Sequence, residues 1–561
     1  MMLCLLSGPA WAQVPPVQVP PPFPSEPPPL REELRPPPPP SPILPPAPSP
    51  PDKPKALPLS VFVKDIRIVG GTVFTPEELA AVTAPYTNRK LTSEDLEALR
   101  TALTKFYIDR GYITSGVIIP DQEVTEGIIT LRIIEGKLSR IEVEGNEWFR
   151  PGYIQNRIAL GAAPPVNINA LQERLQLLQQ TPGITRLNAE LRPGVTRGES
   201  VLNVKVAEEN PIKGWLEFNN FLSPTVGSER GLVTVAHRNL TGHGDLLSFQ
   251  YGKSSGMDPQ IETRYAVPLN ARDTTLVLDY RRNDFGVIDD AFVNLNIKSQ
   301  SEIYGITLRH PLYRTLAQEF ALALTGEQLY NRITTAFDAI SPSLSDQLIP
   351  GARGGVSRVN AMRFSQEWTH RAINQVMAAF SRFSIGIDAL GSTKNKQSKT
   401  DAGGKFFSWL GQAQWVRRLD PTGVQLLARI AVQLADDRIF PVEQFSVGGR
   451  FSVRGYRENT LVRDNGALAS VEARIPVLPS LLGGDFLKAA PFVDYGRGYN
   501  TTTPGPEPLK DLASAGFGLL WDIAPGSRFE FYWGHRLNKV DNPHANLQDH
   551  GVHLQLVVEA F

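Results

Sequence analysis

The sequence of 561 residues has almost no cysteine. Its single cysteine, Cys4, lies in an apolar N-terminal segment at residues 1–12. A mature chain without that segment has no thiol, which excludes disulfide bonds, cysteine-based metal sites and thiol catalysis. The lack of thiols suits a chain that works in an oxidising compartment.

Long apolar runs and an excess of charge are also missing. No stretch approaches the roughly 20 consecutive apolar residues of a membrane helix, so any membrane-spanning part has to be built from strands. Basic and acidic residues number 57 each, and the formal net charge is zero. This balance argues against nucleic-acid binding as the main role.

Enzyme and metal motifs are absent as well. The tripeptide Gly252-Lys253-Ser254 resembles the end of a phosphate-binding loop, but Leu247 stands where such a loop needs a glycine. None of the eight histidines forms an H-E-x-x-H motif, and His550 and His553 are expected to be a pair at a strand entrance. We therefore expect no catalytic residue, no cofactor and no bound metal.

Proline, by contrast, is abundant near the N-terminus. Residues 1–12 end in Ala10-Trp11-Ala12 and predict a signal peptide that lacks its basic n-region, with a disordered N-terminus as the alternative. Residues 13–59 are rich in proline and predict an extended spacer. A ligand for a proline-binding domain is the alternative for this spacer.

Two α+β units follow, at residues 60–136 and 137–209. In each unit the apolar pattern predicts a strand, two helices and two closing strands. Thr75-Pro76-Glu77-Glu78 has the composition of a helix N-terminus, with a capping residue, a proline and a capping glutamate. The same order of elements in both units predicts an internal repeat.

From residue 210 to Phe561 the pattern changes to short segments in which apolar and polar residues alternate. Residues 424–434 are an example, with apolar residues at every second position. Segments of about 10 residues that alternate in this way are typical of a transmembrane β-barrel. Short turns and longer polar connections also alternate, and the count gives sixteen strands. With an even number of strands, the start of the first strand and the end of the last strand both lie on the periplasmic side, beside the repeated units.

Two motifs lie in the C-terminal part of this barrel. Val453-Arg454-Gly455-Tyr456 falls in the sixth long connection, at about residues 440–465, and Phe492-Val493-Asp494-Tyr495-Gly496 falls on the next wall strand. Arg454 is always charged, and its planar fork can bind the Asp494 carboxylate through two hydrogen bonds. Gly455 permits a positive φ or a close approach to the wall. The two motifs predict a gating element latched to the wall, with a static strut as the alternative.

The element order of the two units resembles polypeptide-transport-associated (POTRA) domains. Arg110-Gly111-Tyr112 closes the long helix of the first unit, and Val143-Glu144-Gly145-Asn146 opens the second. Two such units before a barrel with a VRGY loop resemble the TpsB transporters of two-partner secretion, which are relatives of the outer-membrane insertase BamA. The resemblance covers residues from about 61 to 561.

This resemblance implies α+β POTRA domains in the periplasm and an all-β barrel in the bacterial outer membrane. The loop that carries Val453, Arg454, Gly455 and Tyr456 would fold back into the lumen as a lid. Phe492, Asp494 and Gly496 match the F-x-D-x-G pattern of its wall partner. The implied function is export of an unfolded exoprotein of the haemolysin or adhesin type.

The resemblance also implies contacts with outer-membrane lipid and, during biogenesis, with the barrel-assembly machinery, for which the terminal Phe561 resembles a signal. Phe561 has the parity of Glu559 rather than that of Val558, so it has to bend out of register. We expect the client to add a strand at an open sheet edge, unless these strands are internal. The candidate residues are Val117, Ile118, Ile119, Val201, Val204 and Val206.

Three rival functions belong to other classes. A BamA-like insertase that assembles outer-membrane proteins is the main alternative, although such proteins typically carry three or more POTRA units. A passive porin needs no periplasmic repeats, and a structural adhesin barrel needs no latch in the lumen.

Overall fold

The computed structural model describes residues 60–289, 293–336, 338, 352–394, 401–419, 422–479, 485–502, 509–540 and 546–561. The predicted signal peptide and the predicted spacer lie outside the described residues. The described residues form two α+β domains and a closed β-barrel.

The first domain packs two helices against a three-stranded sheet in which β5 is central. Its elements are β1 (Ser60–Val63), β2 (Asp65–Val69), α1 (Pro76–Thr83), β3 (Arg89–Thr92), α2 (Ser93–Ile108), β4 (Gly116–Ile118) and β5 (Ile128–Ile134). Leu99, Leu103 and Tyr107 recur at every fourth position of α2 and are buried in the core of the domain. Both helices begin at capping boxes, formed by Thr75 with Glu78 and by Thr92 with Asp95.

The sequence pattern over residues 62–69 predicts one strand at the start of the first unit, but the structure has two strands there. The strand is interrupted at Lys64, whose backbone N–H donates to the carbonyl oxygen of Gly127 at 2.7 Å. As a result β1 pairs with β3 in a separate two-stranded sheet, whereas β2 pairs with β5. Two consecutive polar residues, Lys64 and Asp65, mark the break, and the inward-facing positions change there from odd numbers (Val61 and Val63) to even numbers (Ile66 and Ile68).

The second domain repeats the arrangement with a sheet of order β6-β8-β7. Its elements are β6 (Lys137–Glu144), α3 (Pro151–Ala159), α4 (Ile168–Gln179), β7 (Ile184–Pro193) and β8 (Glu199–Glu208). The core contains Ile154 and Ile158 from α3 and Leu171 and Leu175 from α4. Amphipathic helices therefore cover the sheet as in the first domain.

The open edge expected at Val201, Val204 and Val206 is wrong. Strand β8 pairs with β6 on one side and with β7 on the other, so it is the central strand of its sheet. Val204 and Val206 are buried in the core, and Val201 is half-buried. The last strand of the domain, β8, lies between the first strand, β6, and its own hairpin partner, β7. A local sequence pattern does not reveal this placement.

Tight contacts join the two domains at the predicted Arg110-Gly111-Tyr112 motif. The Ile168 N–H donates to the Gly111 carbonyl oxygen at 2.8 Å, and Asn167 Nδ2 donates to the Arg110 carbonyl oxygen at 3.0 Å. Gly111 has a φ of +93°, and a Cβ there would lie 2.7 Å from Asn167 Oδ1. The glycine therefore permits the first domain to meet the N-terminus of α4.

In the described part of the chain, sixteen antiparallel strands close into a barrel, in which β26 pairs with β9. This confirms the predicted fold. The strands are β9 (Ile212–Asn219), β10 (Arg230–His237), β11 (Leu246–Ser254), β12 (Met257–Pro268), β13 (Thr275–Gly286), β14 (Lys298–Arg314), β15 (Gln318–Thr334), β16 (Val356–Ala372), β17 (Gln375–Gly386), β18 (Phe407–Leu419), β19 (Val424–Ala435), β22 (Asn465–Pro479), β23 (Asp485–Tyr499), β24 (Asp511–Ala524), β25 (Ser527–Arg536) and β26 (Val552–Glu559). None of the helices in the described ranges is long and apolar enough to cross a membrane.

The end of β26 shows how the terminal residue leaves the strand. Glu559 faces the lumen, where its carboxylate lies 3.5 Å from Lys213 Nζ. The ring of Phe561 instead lies over Gly214, which shares the lipid-facing parity of Leu216 and Phe218, and a Cβ on Gly214 would lie 2.7 Å from that ring. The chain therefore bends out of register after Glu559, as the parity of residue 561 requires.

The second domain is fastened to the periplasmic turns of the barrel. Arg157 of α3 pairs with Asp273 in the turn between β12 and β13, at 2.5 Å. The other oxygen of Asp273 pairs with Arg314 at the end of β14, also at 2.5 Å. In addition, the Arg150 N–H donates to the Gly242 carbonyl oxygen in the turn between β10 and β11, at 3.0 Å. These contacts fix α3 beneath one side of the barrel mouth.

Candidate functional site: the lumen loop and its wall partners

The connection between β19 and β22, residues 436–464, contains the loop predicted at about residues 440–465 and is called the lumen loop. Two short strands, β20 (Phe445–Val447) and β21 (Leu461–Arg463), pair to form its stem. Gly448 and Gly449 follow β20 with φ values of +109° and +106°, which are strained for other residues. The chain reverses there and presents residues 453–456 to the inner face of the barrel wall.

Arg454 makes the central contact of the site. Its Nε and Nη2 donate to the two oxygens of Asp494 at 2.8 Å each, and its backbone N–H donates to Asp494 Oδ2 at 3.0 Å. Its Nη1 donates to Glu472 on the neighbouring strand. The guanidinium and the two carboxylates are almost fully buried, with Arg454 at 0% exposure. The structure thus brings the predicted pair together and adds a second carboxylate. The placement of Asp494 on the next wall strand is wrong, because that strand is β22, which carries Glu472, and Asp494 lies on the following strand, β23.

An aromatic ring and two hydroxyl groups of the wall also contact this cluster. The guanidinium of Arg454 lies 3.6 Å above the centre of the Phe492 ring, an arrangement that adds cation–π attraction. Ser470 Oγ donates to Asp494 Oδ1 at 2.7 Å, and Tyr532 OH donates to Glu472 at 3.3 Å. A buried charge that is paired and hydrogen-bonded in this way is costly to leave without its partner.

Each residue of the F-x-D-x-G motif has a separate contact. Phe492 stacks on the guanidinium, and Asp494 accepts its hydrogen bonds. Gly496 lies against Val453 and Val447, and a Cβ there would lie 2.9 Å from Val453 Cγ2. The glycine therefore leaves room for the buried side chains of the loop.

Gly455 and Tyr456 continue the attachment on β24, β25 and β26. Gly455 has a φ of +92°, and a Cβ there would lie 2.6 Å from the carbonyl oxygen of Gly534. Its N–H donates to His553 Nε2 at 3.3 Å. The Tyr456 hydroxyl is within 2.9 Å of the Ala513 carbonyl oxygen and accepts the Asn538 N–H at 3.0 Å. All four residues of the VRGY motif thus lie against the wall.

The base of the loop has a second ionic attachment that sequence reasoning missed. Glu443 accepts two hydrogen bonds from Arg363 on β16, at 2.9 and 2.7 Å. Arg363 Nε also donates to Glu327 on β15 at 2.7 Å, and Arg281 donates to the other oxygen of Glu327 at 2.7 Å. Strands β17, β18 and β19 separate this attachment from that of Arg454, so the loop is held at two different parts of the wall.

A third attachment joins the lumen loop to the connection between β25 and β26. Arg457 forms two hydrogen bonds to Asp549, at 2.7 and 2.6 Å. The Glu458 N–H donates to Gln548 Oε1 at 2.9 Å, and Gln548 Nε2 donates to the carbonyl oxygens of Asn220 and Leu222. This third contact links the loop to the seam where β9 and β26 meet.

The missed wall residues carry a partial signal in the sequence. Ser470 and Glu472 lie two positions apart on β22, and the residue between them, Val471, faces lipid. Alternation therefore marks both as lumen-facing. Their proximity to Asp494 depends on the register that pairs Ser470 with Asp494, and Glu443 meets Arg363 across 80 residues of chain. Neither relation is visible in a local pattern.

The candidate client-binding strand in the first domain has a restricted edge. Strand β4 lies at the edge of the described sheet, as expected, but it spans only three residues. The Val117 side chain is in the core, and its N–H donates to Thr104 Oγ1 at 3.2 Å. Ile118 and Ile119 are half-buried. At this edge the Val117 N–H is thus already bonded, whereas the side chains of Ile118 and Ile119 remain partly accessible.

The contacts that hold the loop are mainly ionic. They join side chains of the loop to side chains in the lumen and are separate from the hydrogen bonds between wall strands. Among the described residues, no group of three or more His, Cys, Asp or Glu residues is placed to hold a metal ion.

A sixteen-stranded barrel, an N-terminal POTRA-type domain and a loop tied inside the lumen define the class of POTRA-bearing outer-membrane transporters. Residues 198–520, more than half of the chain, match the family of haemolysin secretion/activation proteins ShlB/FhaC/HecB, and residues 61–136 match the POTRA domain of ShlB type. The chain belongs to this family. It is an outer-membrane transporter of the two-partner secretion type, with its POTRA domains in the periplasm, and not an enzyme.

Similar proteins in the family are named as transporters. The chain is 26% identical to the outer membrane transporter CdiB of Escherichia coli over 413 residues, which are 72% of this chain and 67% of that protein. It is 23% identical to the hemolysin transporter protein ShlB of Serratia marcescens over 434 residues, which are 75% of this chain and 72% of that protein.

Solved structures share the fold. CdiB from Escherichia coli superposes with a TM-score of 0.68 at 21% identity, covering 92% of this chain and 94% of that one. BamA from Haemophilus ducreyi lacking POTRA domains 1–3 gives a TM-score of 0.53 at 13% identity, covering 89% of this chain and 100% of that one. The barrel architecture of this chain is thus shared with CdiB and with BamA.

Proposed function

We propose that this protein exports one partner exoprotein of the haemolysin or adhesin type across the outer membrane, with the lumen loop as its gate. The observation that carries the proposal is the Arg454 cluster. A guanidinium with no exposure to solvent holds the loop tip to Asp494 and Glu472 inside the barrel. While these contacts persist, the loop occupies the lumen through which a client has to pass.

The energetics suit a gate that is firm at rest. Removal of one partner from a buried ion pair costs about 3–5 kcal/mol, whereas an exposed pair contributes about 0–1 kcal/mol. When the loop moves, water enters the site and solvates Arg454 and the two carboxylates. Entry of water changes the contact from a buried ion pair toward an exposed one, which is weaker. A client that displaces the loop therefore meets less resistance as the loop opens.

The periplasmic domains receive the client in this proposal. Of the residues predicted for client binding, Ile118 and Ile119 keep half-buried apolar side chains near the edge of the first sheet. An extended client would place alternate apolar side chains against them. A photo-crosslinking amino acid at position 118 should capture the client during export. The same amino acid at Val195, which is exposed in the second domain, serves as the control.

Single-channel conductance of the purified protein in planar bilayers tests the gate. We expect small or brief openings for the intact chain and larger or longer openings for Arg454→Ala, because the loop tip loses its cation. Arg497→Ala is the matched control, since Arg497 lies on the same strand as Asp494 but is half-exposed. Equal conductance in all three folded, heat-modifiable barrels would contradict the gate and favour a static strut.

The proteins released by cells that lack this transporter test the export function. We expect one large secreted protein to disappear from the medium while the other outer-membrane proteins keep their levels. An insertase would show the reverse pattern, with many outer-membrane proteins depleted together. That result would overturn export in favour of the BamA-like alternative.

A further inference from the structure

The second domain touches the barrel on its outer surface as well as at its periplasmic mouth. The indole ring of Trp148 stands edge-on against the imidazole of His237, with 6.2 Å between ring centres and 74° between planes. Trp148 remains 46% exposed in this position. A large aromatic side chain of the periplasmic domain is thus exposed beside a wall strand.

His237 is at the periplasmic end of the lipid-facing side of β10. It shares the parity of Val233 and Val235, which are exposed on the outside of the barrel. Its cross-strand neighbours are Ile212 on β9 and Leu247 on β11. The His237 row is therefore the last lipid-facing row at this part of the barrel.

Trp148 extends this apolar surface beyond the barrel. The ring of Phe561, which lies over Gly214 on the lipid side of β9, is exposed on the same part of the wall. Tryptophan is enriched at membrane–water interfaces, because its ring is apolar and its N–H is polar. Trp148 has this chemistry at the level where the lipid-facing surface of the wall ends.

The backbone around Trp148 is fixed in this position. The Trp148 and Phe149 N–H groups donate to the Glu208 carboxylate at 2.7 and 3.2 Å. The next residue, Arg150, donates its N–H to Gly242 in the turn that follows β10. Trp148 is thus held between the second domain and the barrel turn, with its ring directed at the outside of the wall.

We propose that Trp148 anchors the second domain in the interfacial region of the periplasmic phospholipid leaflet. Continuity with the lipid-facing surface of the barrel identifies the occupant, because the ring adjoins a row that already faces lipid. The anchor adds to the Arg157–Asp273 contact at the barrel mouth and limits the tilt of the domain that faces the incoming client. This inference does not depend on the lumen loop acting as a gate.

The scarcity of cysteine makes a direct test simple. In a Cys4→Ser background, a spin label is attached to Trp148→Cys in the full chain, reconstituted in phospholipid bilayers. Label positions at Val235→Cys on the wall and at Val195→Cys in the second domain are the lipid and water references. At position 148 we expect oxygen to increase the relaxation rate of the spin label more than a water-soluble nickel chelate does. The label at position 235 should show the same preference for oxygen.

Two results would overturn the proposal. A label at 148 that behaves like the one at 195 would show that the ring faces water. A label inaccessible to both reagents would show that protein covers it, either a second copy of this chain or another part of it.

A second measurement keeps the proposal testable if the cysteine variant does not fold. The fluorescence emission of Trp148 is obtained by subtracting the emission of the Trp148→Phe variant from that of the native chain. This variant keeps an aromatic ring at position 148. Phospholipids brominated close to the headgroup should quench this difference emission. Lack of quenching in a folded barrel would contradict lipid contact.

Discussion

The lumen loop is held at its tip and at its base by ion pairs of opposite polarity. At the tip the loop contributes the cation, Arg454, and the wall contributes Asp494 and Glu472. At the base the loop contributes the anion, Glu443, and the wall contributes Arg363. Both attachments are bidentate, but they differ in what remains on the wall when the loop leaves.

This difference sets the strength of each attachment. When Arg454 leaves, the two wall carboxylates lose the guanidinium that lies between them, although Glu472 keeps Arg474 at 2.8 Å. When Glu443 leaves, Arg363 keeps its pair with Glu327 at 2.7 Å. Detachment of the tip therefore removes the cation that is hydrogen-bonded to Asp494 and leaves this carboxylate only the electrostatic attraction of wall cations such as Arg429. Detachment of the base leaves Arg363 in an ion pair. We infer that the tip determines whether the gate is closed and that the base acts as a weaker tether.

The largest effect is expected from Arg454→Ala. The variant leaves Asp494 without its bidentate partner, which destabilises the closed loop by about 3–5 kcal/mol. Channel recordings should show a large rise in the fraction of time spent open, while the barrel stays heat-modifiable. If the variant is open for the same fraction of time as the native chain, the tip does not hold the loop.

A double-mutant cycle should rank the two carboxylates at the tip. Asp494 accepts three N–H donors from Arg454, but Glu472 accepts one and shares its charge with Arg474. We expect the coupling of Arg454 with Asp494 to exceed that with Glu472 within the usual range of about 0.5–3 kcal/mol. Arg454→Ala is combined with Asp494→Asn or Glu472→Gln, and open-state occupancy is measured. Equal couplings would mean that the two acids act as one site.

A smaller effect is expected from Glu443→Gln at the base. The variant weakens two charge-assisted hydrogen bonds, each worth about 1.5–3 kcal/mol, but leaves Arg363 paired with Glu327. Occupancy of the open channel should rise less than in Arg454→Ala. The comparison between tip and base would fail if Glu443→Gln opened the channel as far as Arg454→Ala.

The smallest effect is expected from Tyr456→Phe. The substitution keeps the ring and removes the hydroxyl that meets the Ala513 carbonyl oxygen and the Asn538 N–H. Loss of such a neutral hydrogen bond costs about 1 kcal/mol. Open-state occupancy should change by roughly tenfold or less, since about 1.4 kcal/mol corresponds to a factor of ten. A change as large as that in Arg454→Ala would show that the Tyr456 hydroxyl, and not only the guanidinium, is a main contact of the loop.

Much of the barrel was accessible from the sequence because alternation is a local property. Each wall strand repeats lipid-facing and lumen-facing residues, so strand number and the sixth connection follow from one-dimensional pattern. The pairing of Arg454 with Asp494 was predicted from the resemblance of the two motifs to the TpsB family, together with the chemistry of a fork-shaped cation. The bend at Phe561 followed from parity alone.

Relations between distant strands were not accessible. Glu472 meets Arg454 only because β22 and β23 pair in one register, and Glu443 meets Arg363 only because the barrel curves. The same limit explains the error at residues 201–206, where strand order rather than strand composition decides which strand is the edge.

A reversible disulfide between loop tip and wall tests the central claim most directly. A Cβ at position 496 would lie 2.9 Å from Val453 Cγ2, so Val453→Cys and Gly496→Cys can be bridged, with Val447→Ala to make room and Cys4→Ser as background. Conductance and release of the exported protein are measured before and after reduction. The account predicts a channel that is closed and inactive when oxidised and recovers on reduction. Undiminished export by the oxidised, cross-linked barrel would contradict it.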